Sequence, residues 1–252
     1  MKTSRSTSIL GLTAALALAA SALHAAAPAP KQKTAQLDAG SATAAPPFSY
    51  KPPLRGAPAT RVGGGTRSLG ARLMTLNVIA PNETGYTTRD KPTIYWYVSE
   101  ALDKPVELAI TSTASLQEAS TPALEIMLKP PIEKGFHAVR LEDHGVALKP
   151  GVEYQWVVAV VGNSAQRSGD VIAGGSIKRV EGGAVLERLK LAPRAHWPAL
   201  YAESGIWYDA IDDLSRLISA EPDNRRLREQ RAALLEQVGL REAAEFDRAA
   251  ER

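Results

Sequence analysis

The residues able to do chemistry are few, and their spacing decides against most reactions. Beyond residue 25 there are three histidines, His137, His144 and His196. His137 and His144 lie seven apart across a turn-rich stretch, and His196 is remote from both. No His-Glu-x-x-His run occurs and no pair sits at helical ligand spacing, so the reading is surface or capping histidine rather than a metal site. The absence of cysteine removes thiolate nucleophiles, thiolate zinc ligands and redox exchange. Serines are numerous, but Gly-x-Ser-x-Gly is absent, and a Ser/His/Asp triad would have to assemble from distant segments that nothing in the sequence links. No catalytic residue, cofactor or metal is expected, and the chain reads as a non-enzyme.

Three charged or aromatic groups carry the remaining possibilities. Asp209, Asp212 and Asp213 cluster near a helix start. Paired carboxylates can exchange protons, but acidic residues in a first turn also complement the helix dipole, and that is the preferred reading. Arg225, Arg226, Arg228 and Arg231 put much of their charge on one helix face, since Arg225, Arg228 and Arg231 repeat at i, i+3. That face suits an acidic partner, or is simply solvated and balanced by Glu221, Asp223 and Glu229. On the strand Pro92–Val98, Tyr95 and Tyr97 point one way and Trp96 the other. If exposed, Tyr95 and Tyr97, with Trp207, would make a carbohydrate-binding or cell-envelope-binding module, an alternative to protein binding. An unrecognised hydrolase is the third and least supported class. Arg167-Ser168-Gly169-Asp170 reads as an ion pair bracing a loop.

The N-terminus suggests export. Lys2 and Arg5 form a positive n-region, Ile9–Ala20 is apolar and uncharged, and small residues allow cleavage after Ala22 or Ala25. The apolar run is shorter than the roughly 20 residues a membrane span needs, and no later segment is long and apolar enough. Residues 1–25 are therefore expected to be a signal peptide, and the mature protein periplasmic or extracellular in a Gram-negative-type bacterium. Without Lys2 and Arg5, 28 basic residues face 27 acidic ones, a near-neutral balance that argues against nucleic acid as a partner. Residues 26–70 are rich in Ala, Pro, Gly, Ser and Thr, lack apolar periodicity, and read as a disordered linker or a strip that docks on the next domain.

Residues 71–183 carry about seven short apolar or alternating runs: 73–79, 92–98, 106–113, 124–128, 136–141, 153–161 and 171–180. Pro, Gly and Asn signals separate them, which predicts an antiparallel β-sandwich. Tyr154 follows the Pro150-Gly151 turn at a strand start. This resembles the tyrosine corner of immunoglobulin-like sandwiches, and implies a structural Tyr154 with Trp96 as the core tryptophan. Residues 184–252 switch to helical spacing, with Leu214, Leu217 and Ile218, then Leu227, Leu234, Leu235 and Val238. Gly205–Ala210 is echoed by Gly239–Ala244, an offset of 34 residues. That is the period of tetratricopeptide hairpins, and Gly205, Trp207, Ala210 and Pro222 sit at that repeat's turn, aromatic, small-residue and terminal-proline positions. Two copies are few for a free-standing array, so these helices are expected to lean on the β-region. The expected class is thus α+β.

Several segments together resemble the exported bacterial family called domain of unknown function 928. They are Gly63-Gly64-Gly65-Thr66-Arg67, Pro81–Gly85 leading into Lys91–Val98, Arg167–Val171 with Arg179-Val180, and Tyr201–Ala210. The resemblance spans most of residues 61–240. It implies no activity and transfers no catalytic residue. The functional expectation is an exported interaction protein that binds an unknown protein or peptide partner in the envelope through its sandwich and helical tail.

Overall fold

The computed structural model describes residues 48–53, 61, 67–69, 72–115, 118 and 120–249. The signal-like segment, most of the linker and Gly63–Thr66 lie outside the described residues. Among the described residues strands come first: β1 (Arg67–Leu69), β2 (Arg72–Met74), β3 (Leu76–Val78), β4 (Gly85–Thr87), β5 (Thr93–Val98), β6 (Val106–Ser112), β7 (Leu124–Leu128), β8 (Gly135–Arg140), β9 (Glu153–Val160) and β10 (Val171–Arg179). The helices follow: α1 (Gly183–Lys190), α2 (Trp197–Glu203), α3 (Trp207–Ala220), α4 (Arg225–Gln237) and α5 (Arg241–Ala249). The class is α+β.

A five-stranded sheet runs in the order β4-β10-β9-β6-β7, a three-stranded sheet in the order β3-β5-β8, and β1 pairs with β2. Alternation builds the larger sheet. Along β6, Val106, Leu108, Ile110 and Ser112 point inward, while the residues between them are half exposed. The expectation of a wholly antiparallel arrangement is corrected at one edge, where β4 pairs with β10 in parallel. Gly85-Tyr86-Thr87 is too short to show a period, so this strand leaves no sequence signal. It exists because α3 backs it: a Cβ at Gly85 would stand 2.6 Å from the Tyr208 ring.

Both sheets and the helices contribute to one apolar core. α3 enters it with two aromatic side chains. Trp207 is buried and its Nε1 donates to Ile79 O at 3.0 Å. Tyr208 is buried too; its hydroxyl accepts from Trp156 Nε1 at 2.9 Å and donates to Ser176 O at 2.9 Å. Rings of this size remove about 150–250 Å² each from water, roughly 4–6 kcal/mol apiece at about 25 cal/mol per Å². Meeting the polar atoms with hydrogen bonds keeps that gain from being lost to desolvation. Ala210 is fully buried, and Trp96 lies fully buried on β5, as a core tryptophan should. The Tyr154 hydroxyl accepts a hydrogen bond from Lys149 N at 3.1 Å and ties β9 to the preceding turn.

Within the stretch read as a disordered linker, residues 48–53 lie as an extended strap on the helices, and Arg67–Leu69 is strand β1. Arg61 is a second tie. Its NH1 donates to Ala80 O at 3.0 Å and to Val238 O at 2.9 Å, joining the end of β3 to the end of α4. Burial holds its guanidinium pKa below the usual value.

Candidate functional site

The strap defines how the inner faces of the helices handle an extended chain. The Gln237 side chain, at the end of α4, clamps the strap backbone: its Nε2 donates to Phe48 O and its Oε1 accepts from Tyr50 N, both at 2.8 Å. On the opposite side Lys51 N donates to Ala202 O of α2 at 3.1 Å. Between these bonds the Tyr50 ring drops into the core and meets Trp207 edge-on, with centroids 4.9 Å apart. Burial pushes the Tyr50 phenol pKa up, with Glu83 and Tyr86 adding to the shift. Gly205 forms the floor beneath. Its φ of +76° makes the turn between α2 and α3, and a Cβ there would sit 2.8 Å from Lys51 O. The turn signal was visible in the sequence; the close passage of the strap was not.

Beside the strap a groove of about 390 Å³ stays open between α2, α3 and α4. Phe48, Ala199, Leu200, Leu217 and Leu227 supply apolar walls, and Glu203, Glu221, Arg226 and Gln230 a polar rim. Helical spacing makes this shape: Leu227 and Gln230 are one turn apart on α4, and Ala199, Leu200 and Glu203 share one side of α2. His196 lies at its edge. Pro222, in the turn between α3 and α4, is exposed and its carbonyl accepts from Arg228 Nε at 3.2 Å.

The arginine face is built differently from the solvated or partner-binding face the spacing suggested. Arg231 is only 6 % exposed. Its Nε and NH2 bind both Asp247 oxygens at 2.7 and 2.6 Å, NH1 reaches Ser215 Oγ at 2.8 Å, and the guanidinium lies 4.2 Å from the Phe136 ring centroid. Arg228 also approaches Asp247, at 3.8 Å. These two side chains therefore join α4 to α5, because two fully buried Asp247 oxygens demand donors. Arg225 and Arg228 line a small hollow of about 250 Å³ with Arg248.

The carbohydrate-binding surface is corrected as well. Tyr97 is buried, flanked by Phe136 and Phe246 with centroids 5.5 Å away in each case, and Trp207 is fully buried. Tyr97 and Tyr95 do share a face, but the helices cover Tyr97, and Tyr95 lines a hollow of about 480 Å³ beside Phe136 and Arg216. Burial, with help from Glu242, Glu100 and Glu245, pushes the Tyr97 phenol up to about 12. Tyr95 is half-buried and donates to Asp212 Oδ1 at 2.8 Å; burial, then the Asp212 charge, raises its pKa.

The Asp cluster does more than complement a dipole. Buried Asp209, in the first turn of α3, accepts from Thr87 Oγ1, Thr88 Oγ1 and, at 2.9 Å, Thr88 N. Asp212 accepts from Arg89, Arg216 and Tyr95, and Asp213 also binds Arg89. The result is a fixed brace between α3 and the segment after β4. Arg89, which sequence reasoning passed over, ties Asp213 into the brace; burial works to lower its pKa, and the charges of Asp209, Asp213 and Asp212 raise it above the usual value. Arg167 braces its loop as expected, binding Asp170 and, at 2.9 Å, Glu107. Among the described residues no group of three His, Cys, Asp or Glu is placed to hold a metal ion, and no helix is long and apolar enough to cross a membrane.

Fold and site together define an α+β protein whose C-terminal helices finish the core of its β-sheets and grip a strap of their own chain. Residues 62–247 match the family described as Domain of Unknown Function (DUF928), and the chain belongs to that family. No curated protein matches it. A multi-domain immunophilin from Arabidopsis thaliana is similar at 10 % identity over 79 % of this chain and 100 % of that one, with a TM-score of 0.18, a likeness that carries no argument.

Proposed function

We propose that this is an exported, non-enzymatic interaction protein that binds an extended segment of a partner protein in the groove between α2, α3 and α4. The observation that carries the reading is the strap. The same helices already hold one extended peptide by hydrogen bonds between its backbone and both the Gln237 side chain and the Ala202 carbonyl, with Phe48 forming a wall of the open groove. A face that grips main chain and offers apolar walls suits another unfolded segment laid alongside. The 34-residue echo supports a tetratricopeptide-like reading of the helices, and the Tyr154–Lys149 bond supports an immunoglobulin-like reading of the sheets. Export to the periplasm or beyond rests on the first 25 residues.

Two measurements test this. N-terminal sequencing of protein recovered outside the cytoplasm should begin at Leu23 or Ala26; a chain that keeps Met1 and stays in the cytoplasm refutes export. A peptide array of apolar, aromatic-containing extended segments should give hits that vanish in Leu200→Glu and Leu227→Glu, with both variants still unfolding cooperatively. Hits that survive both substitutions would move the binding site elsewhere.

A further inference from the structure

The two edges of the five-stranded sheet are finished differently. β4 is backed by α3, whereas among the described residues nothing pairs with the outer side of β7. Which backbone groups face outward follows from the ladder. Thr113 N donates to Glu153 O and Val161 N to Pro105 O, so odd-numbered residues of β6 bond to β9 and even-numbered ones turn to β7. Leu108 faces Ile126 and Ile110 faces Leu124, which commits the even residues of β7 to β6. The N–H and C=O groups of Glu125 and Met127 therefore point away from the sheet. Around them the side chains are apolar and incompletely covered: Met127 is half exposed, and Ile126 and Leu128, although packed against the core, are only partly buried.

We propose that β7 is a self-pairing edge at which a second copy of this chain adds its own β7 antiparallel, with the two-fold axis at Ile126. The strand Leu124-Glu125-Ile126-Met127-Leu128 is self-complementary about that residue. Leu124 meets Leu128 of the second copy, Ile126 meets Ile126, and Glu125 meets Met127. No carboxylate faces another directly, which a two-residue slip that sets Glu125 opposite Glu125 would impose. In the axial register the outward groups of Glu125 and Met127 form the hydrogen-bonded pairs, and Ile126 with its mate forms the close non-hydrogen-bonded pair. The half-covered Ile126 and Leu128 gain apolar neighbours across the seam. The contact is small beside a stable interface, so the dimer is weak and concentration-dependent.

The cysteine-free sequence makes the register directly readable. Full-length Ile126→Cys should form a disulfide-linked dimer under mild oxidation many-fold faster than Leu191→Cys, a thiol placed at a highly exposed residue outside the seam. Equal rates overturn the proposal. Glu125→Cys and Met127→Cys change exposed side chains, so they keep the test alive if Ile126→Cys does not fold. Mixed together, those two should crosslink several-fold faster than either alone; no gain on mixing overturns the register. Wild-type chain sedimenting as a monomer at every accessible concentration overturns the pairing itself, including the case in which another protein supplies the strand.

Discussion

Single residues set the sharpest expectations. Arg231→Ala strands the buried Asp247 carboxylate, and should cost about 3–5 kcal/mol in denaturant unfolding, as breaking one side of a buried ion pair does. Replacing both Arg231 and Asp247 with apolar residues should recover part of that loss. Two glycines form a matched pair: Gly151 has φ +74° and open space around it, while Gly205 has φ +76° and Lys51 O in the way. Gly151→Ala should lose about 1–2 kcal/mol for the left-handed backbone alone. Gly205→Ala should lose clearly more and free the strap for proteolysis near Lys51. The tyrosines give a pH signature. Tyr97 has a folded pKa of about 12 against an ordinary 10.0. A raised folded pKa means its stabilising contribution is intact below about pH 10 and disappears as pH rises through about 12. Absorbance titration should show late phenol ionisation coinciding with loss of circular dichroism; early ionisation at the ordinary value would contradict the packing. At this scale the sequence was partly legible. The i, i+3 arginines do cluster, but their partner Asp247 lies a helix away, and periodicity within one helix says nothing about the neighbouring one.

At the level of elements, the long alternating runs and the helical stretch announced themselves, because burial imposes a period of two or about 3.6 residues. β4 and the strap did not. Each is held by side chains from distant segments: β4 by Tyr208, the strap by Gln237 and Trp207. The groove was invisible for the same reason, since its walls come from the strap and three helices. Gln237→Ala removes both clamp bonds and should destabilise the protein by about 1–2 kcal/mol, with the loss expressed chiefly as faster cleavage within residues 48–53. Equal protection in wild type and variant would show that Tyr50 alone anchors the strap.

For the molecule as a whole, the shared core governs behaviour. Trp207, Tyr208 and Tyr50 fill space beside residues of both sheets, so thermal unfolding followed by tryptophan fluorescence and by circular dichroism should give one coincident transition. A chain ending at residue 183 should lack cooperative unfolding altogether. Order of synthesis sharpens the point. The Tyr208 hydroxyl that closes the Trp156–Ser176 gap arrives only after every strand has been made. Until then the Trp156 indole N–H and the Ser176 carbonyl lack the hydroxyl that bridges them in the finished fold. The sheet whose last strand ends at Arg179 thus waits for residue 208, and the last helices act as the latch that closes it.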